Sequence, residues 1–208
     1  EDWFERVTGL DSEHEMIQEA SRSCSKRRAA HMEWVTGTAE DYLQQGNLPL
    51  FRVVTIAKAF HWMDRELVLE LLYPHMVAGG GVAIIDTSNP LPSPAPWQEK
   101  VNRVVRKYYG EQRRAGNGTF VKPSKRYEDI VADSPFKLEL HQLPAYDYDW
   151  NGESILGNLY STSYGAKRFL GEHAASFERE LEEVLVKFDP SDRYIERMQT
   201  NIILAIKE

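Results

Sequence analysis

Short β-prone runs alternate along this chain with stretches whose apolar residues recur at helical spacing. Val7-Thr8-Gly9-Leu10 is such a run, and Ser12-Glu13-His14-Glu15 follows it at once as a helix start. There Ser12 is expected to cap the helix and Glu15 to return the bond, with Met16, Ile17 and Ala20 as the apolar stripe. Met32 to Gly37 reads as a second strand, and Thr38-Ala39-Glu40-Asp41 offers another cap. Phe51 to Ala57 is almost continuously apolar, as a strand covered on both faces must be. The helix after it is predicted from about Asp64 to Met76, with Leu67, Val68, Leu71 and Leu72 inward, and Gly79-Gly80-Gly81 as a turn tolerant of positive φ. Val82 to Asp86 is the fourth strand. Strands alternating with helices imply an α/β fold with a parallel sheet and right-handed crossovers.

The texture changes beyond Asp86. Four prolines between Asn89 and Pro96 exclude a central strand. Trp97 to Arg114 is predicted helical and basic, carrying Arg103, Arg106, Lys107, Arg113 and Arg114, either as a lid or as a solvated outer face. After the break at Gly116-Asn117-Gly118 come a short helix near Arg126 to Val131 and an alternating strand, Phe136 to Leu140. A long amphipathic helix containing Phe177, Leu181, Val184, Leu185 and Phe188 precedes a last strand, Thr200 to Ile206. Those two final strands form an antiparallel edge pair in this reading. Residues 1–208 are expected to be one domain with a helical, lid-like insertion at about 89–133.

Composition narrows the function. The 208 residues are 42% hydrophobic and 27% charged, ordinary for a globular domain. No apolar run is long enough for a membrane-spanning helix, so a cytoplasmic protein without a membrane partner is expected. The net charge of −7 argues against a nucleic-acid partner. Cys24, the single cysteine, has no partner for an internal disulfide or a cysteine metal cluster, and among Ser23, Ser25, Lys26 and Arg27 it reads as a surface thiol. His14-Glu15 lacks a second histidine at position 18, which is Gln18, so no zinc-protease helix forms. Ser161-Thr162-Ser163-Tyr164-Gly165 begins with serine rather than glycine and is no nucleophile elbow.

The candidate chemistry collects where open α/β sheets bind ligands, at the carboxyl ends of the strands. Asp11 stands there and suits two ribose hydroxyls, although an Asp before a helix also serves as a cap. Glu40 follows the next strand, suited to an adenine amino group or to the helix dipole. Lys58-Ala59-Phe60-His61-Trp62 leaves the third strand with a cation, an imidazole and two aromatics, an unusual density for a loop that only packs. His61 is the candidate base, and Trp62, Tyr146, Tyr148, Trp150 and Tyr160 are candidates for the substrate side, with core or edge cover as the other reading. Arg106 joins them if the basic helix faces the pocket, which would suit a carboxylate-bearing acceptor.

Val7-Thr8-Gly9-Leu10-Asp11-Ser12 with Met16, Gly37-Thr38-Ala39-Glu40, Ala59-Phe60-His61-Trp62, and Gly80-Gly81 before a strand resemble, in that order, class I S-adenosylmethionine-dependent methyltransferases. The group most similar is the small-molecule type 11, trans-aconitate-methyltransferase-like proteins. The resemblance extends to Trp150–Gly157 and Ser161-Thr162-Ser163. It implies a Rossmann-like, doubly wound, mostly parallel sheet with an antiparallel C-terminal edge strand. It also implies S-adenosylmethionine as cofactor, held by Asp11, Ser12, Met16, Ala39, Glu40, Lys58 and Phe60, and a small-molecule acceptor. The family's first strand and Gly-x-Gly loop have no counterpart before Asp11, so a domain incomplete at its N-terminus is expected. Loss of that loop would instead suit a methyltransferase-like binding or scaffold protein without turnover. An incomplete sheet would leave an edge for a second copy, as in a homodimer, to cover.

Overall fold

A computed structural model of the chain describes residues 4–24, 31–111, 114–115, 118–119, 125–162 and 164–208. The elements run β1 (Val7–Asp11), α1 (His14–Ser23), β2 (Met32–Thr36), α2 (Ala39–Leu43), β3 (Phe51–Ala57), α3 (Arg65–His75), β4 (Met76–Ser88) and α4 (Pro96–Tyr109). They continue as β5 (Arg114–Ala115), β6 (Gly118–Thr119), α5 (Tyr127–Ala132), β7 (Lys137–Gln142), β8 (Tyr146–Trp150), α6 (Gly152–Tyr160), α7 (Ala174–Phe188) and β9 (Tyr194–Ile206). Among the described residues no helix is long and apolar enough to cross a membrane.

The chain divides into two compact units, one of residues 1–86, 125–141 and 202–208, the other of 87–124 and 142–201. In the first, β1 and β2 pair in parallel as a two-stranded sheet, Asp11 level with Thr36. β3 pairs in parallel with β4, Ala57 level with Ile85, at the end of a sheet ordered β3-β4-β9-β7 with β8 also on β9. β9 runs against its neighbours. Gly79 N donates to Lys207 O while Lys207 N donates to Gly80 O, and further along the same pair of strands Thr87 meets Thr200. Leu143 likewise donates to Thr200 O, and Tyr146 to Trp150 pair antiparallel with Met198 to Tyr194. The α/β class and the antiparallel C-terminal strand are as expected. That strand sits one position in from the end of the sheet, and its partner β7 is outermost.

Local chemistry explains the elements and the departures. Asp64 caps α3 by accepting from Leu67 N at 3.2 Å, and Thr38 caps α2 by accepting from Asp41 N at 3.1 Å. Ser12 does not cap α1, which begins after Glu13 without a side-chain cap. Asp11, the last residue of β1, reaches the orphan Glu13 N first, at 2.8 Å. Gly79-Gly80-Gly81 lie inside β4 rather than in a turn, because Gly79 and Gly80 pair with Lys207. A Cβ on Gly80 would fall 2.7 Å from Arg52 O, so close backbone approach explains that glycine. The basic helix stops at Tyr109, ahead of Gly110 at φ +88°, five residues short of the predicted end; Arg113 and Ser163 lie outside the described residues. The strand β8 was not foreseen, although Tyr-Asp-Tyr-Asp-Trp alternates with period two.

The first unit is held by Leu43, Ile56, Val68, Leu69, Val82 and Ile84, all buried, with Ile203 and Ala205 of β9. The second is organised around Phe177, Leu181 and Leu185 of α7, which meet Trp97, Val104 and Tyr194. Burial of side chains this size contributes about 1.5–3 kcal/mol each. Leu69→Ala is therefore expected to destabilise the chain by about 2–5 kcal/mol through the cavity it leaves. Gly80→Ala is expected to cost about 1–3 kcal/mol through steric crowding. Urea unfolding monitored by circular dichroism measures both.

Candidate functional site

The candidate residues of the first unit lie at or near the carboxyl ends of β1 to β4, which pair in parallel as β1 with β2 and β3 with β4. Gly37 N donates to Asp11 O at 2.9 Å, carrying the β1–β2 ladder to the base of α2. Asp11 uses Oδ1 on Glu13 N, and its Oδ2 has no hydrogen bond among the described residues. Ser12 is exposed beside it, and Met16, on α1, is 40% exposed. Opposite Asp11 in the register, Thr36 Oγ1 lies 3.3 Å from His14 Nδ1. In the first turn of α2, Ala39 packs against the core and Glu40 Oε1 accepts from Asp64 N at 2.7 Å. Glu40 thus ties the loop after β2 to the cap of α3, a role the residue pattern does not disclose.

β3 leaves the sheet through a kink. Lys58 adopts φ +53°, a left-handed conformation that costs a non-glycine residue about 1–3 kcal/mol. Its N–H donates to Ile85 O at 3.0 Å and its ammonium meets Asp86 Oδ1 at 2.6 Å, contacts that hold it there. The kink feeds a single 3-10 turn, Phe60-His61-Trp62. Phe60 is 2% exposed and meets Tyr127 edge-on at 5.2 Å. It packs within the core of the first unit. Trp62 is 48% exposed, its ring 4.5 Å from that of His61. Burial pushes the half-buried His61 below the ordinary histidine range; Asp86 opposes that shift, while the cations Lys58 and Arg65 add to it. The imidazole is therefore kept neutral and able to accept a proton.

Asp86, Arg65 and Tyr127 complete this neighbourhood and were not foreseen. Asp86 was detectable as the acid closing the Val82–Ile85 run and Arg65 by its place four residues after His61, but Tyr127 belongs to a helix that only the packing brings near His61. Arg106, Tyr146 and Trp150 belong to the second unit. Arg106 is exposed on α4. Its neighbour Lys107 is bound to Glu180 of α7 at 2.6 Å, which accounts for part of the basic helix as packing rather than recognition. Trp150 donates to Glu196 at 2.8 Å, and Tyr146 is exposed on β8.

No protein-family model matches the sequence, and no curated protein matches it significantly. Solved structures do. The YcgJ protein of Bacillus subtilis is similar with a TM-score of 0.52 and 16% identity, over 98% of this chain and 83% of that one. A candidate methyltransferase from Bacillus halodurans gives 0.51 and 16%, over 96% and 82%. A candidate Type II methyltransferase from Anaeromyxobacter dehalogenans gives 0.50 and 20%, over 99% and 82%. The chain has the class I methyltransferase fold. In a fold of this kind the ends of β1, β2, β3 and β4 border the ligand crevice, and that edge carries Asp11, Glu40, Lys58 and Asp86.

The charges around His61 set its titration. Asp86→Asn is expected to lower its pKa further and Lys58→Met to raise it, read from the imidazole Cε1–H shift by NMR. Because the folded value lies below the unfolded one of about 6.5, the unfolded chain binds the proton more tightly. The stability contributed by His61 is therefore present above that value and falls as pH drops through the folded pKa. His61→Gln should flatten this slope in pH-dependent urea unfolding.

Proposed function

We propose that this chain is an S-adenosylmethionine-dependent methyltransferase domain acting on a small-molecule acceptor. The observation that carries the reading is the placement of two carboxylates, Asp11 as the last residue of β1 and Glu40 in the first turn of α2, the helix that follows its paired strand β2. Two of the similar solved structures bear methyltransferase names, which supports the same reaction class.

The residues present fit the nucleoside end of the cofactor. Asp11 has a carboxylate oxygen without a hydrogen bond among the described residues, suited to a ribose hydroxyl. Glu40 offers its second oxygen to the adenine amino group while the first holds Asp64 N. Met16 and Ala39 border the base, and Ser12 lies at the ribose edge. When bound, the cofactor supplies a methyl group on a sulfonium, an electrophile that needs alignment more than covalent help. The chain's own task is to position the acceptor and take its proton. Neutral His61 is suited to that proton, Trp62 to covering the acceptor, and Lys58, held by Asp86, to fixing the turn that presents both.

Calorimetric titration of S-adenosylhomocysteine tests this. Asp11→Asn keeps an oxygen for Glu13 N but removes the charge. Loss of a charged hydrogen bond worth about 1.5–3 kcal/mol weakens binding about ten- to hundredfold. Unchanged affinity in that variant would remove Asp11 from the site. Absence of binding to the wild-type chain would overturn the proposal in favour of a binding or scaffold domain.

A further inference from the structure

Arg65 opens α3, three residues beyond the Phe60–Trp62 turn. It is only partly exposed, and its Nε is withdrawn from solvent with no hydrogen-bond partner. Among the described residues no other buried side-chain nitrogen or oxygen is left unmet. Exposed Arg126 and Arg193 each hold a carboxylate, of Asp129 and Asp149, whereas no carboxylate pairs with the partly buried Arg65 among the described residues. An unmet buried donor costs about 1–3 kcal/mol, more on a charged group. In a guanidinium, Nε and the adjacent terminal nitrogen form a planar fork matched to two oxygens of one anion.

The surroundings favour such a guest. Arg65 follows His61 by four residues, the Tyr127 ring meets Phe60 of the same turn at 5.2 Å, and the Arg65 charge acts on both His61 and Tyr127. The half-buried Tyr127 hydroxyl has no hydrogen bond among the described residues and can donate a second one. Asp86, the acid that also acts on both His61 and Tyr127, is ion-paired with Lys58 rather than with Arg65.

We infer that Arg65 and Tyr127 form an oxyanion-binding site beside His61, which takes a carboxylate or phosphate group of the methyl acceptor. The assignment of the anion to the acceptor rests on the proposed function; binding of the anion itself does not.

The test is titration of the full chain with succinate, benzoate, inorganic phosphate and neutral succinamide, followed by calorimetry and by the Arg65 Nε–Hε resonance, assigned through its loss in Arg65→Lys. At least one of the carboxylates and phosphate should bind and shift that resonance, and succinamide should not; whichever is preferred names the oxyanion. Arg65→Met should weaken binding tenfold or more, Arg65→Lys less, and Tyr127→Phe severalfold, with S-adenosylhomocysteine affinity unchanged in all three. Should Arg65→Met fail to fold, the wild-type resonance shift decides alone. No shift with any anion at millimolar concentration, or equal affinity in folded Arg65→Met, overturns the inference. Anion binding without S-adenosylhomocysteine binding would leave this site standing and remove the proposed reaction.

Discussion

The parallel pairing of β3 with β4 sets Ala57 level with Ile85, and so places Lys58 and Asp86 side by side just past the last rung. From that register follow the ion pair between them and the hydrogen bond from Lys58 N to Ile85 O, contacts that hold Lys58 left-handed. Without the kink, β3 would run on and Phe60, His61 and Trp62 would alternate across its two faces. With it, Phe60 turns into the core against Tyr127 while Trp62 stays exposed beside His61. The strain is local and small. Its return is a cation, an acid and an imidazole within electrostatic reach of one another.

Two of the candidate carboxylates each hold a backbone donor. Asp11 satisfies a donor at the start of α1, and Glu40 satisfies one at the cap of α3. Each spends one oxygen on a backbone N–H, which orients the carboxylate and leaves the other oxygen for a ligand. A carboxylate anchored in this way loses little rotamer freedom on binding, so more of its interaction energy appears as affinity. The same economy separates Lys58, whose charge is met within the chain, from Arg65, whose buried Nε is not.

The sheets show where pairing stops. Among the described residues β1 pairs only with β2 and β3 only with β4, so both strands have an unpaired side, and Val53 on β3 is 49% exposed. A strand of such apolar character belongs to a covered position, and an edge left open is a surface suited to further pairing.

Much of the architecture was legible in the residues alone. The alternation of apolar runs and capped helices announced an α/β chain because period two and period 3.6 each match one backbone geometry. The acids near strand ends, Asp11 above all, and the Phe60-His61-Trp62 cluster marked the carboxyl edge of the strands for the same local reason. Local pattern could not show which partner a side chain would meet. Ser12 lost its capping role because α1 begins one residue later, with Glu13 at its N-cap, the glycines entered a strand because Lys207 lay across from them, and Phe60 went inward because Tyr127 covered it. Tyr127, 66 positions after His61 in the sequence, came to its neighbourhood only through helix packing. Periodicity and capping are written in adjacent residues, whereas burial, register and the electrostatic field of a site are sums over contacts between distant ones.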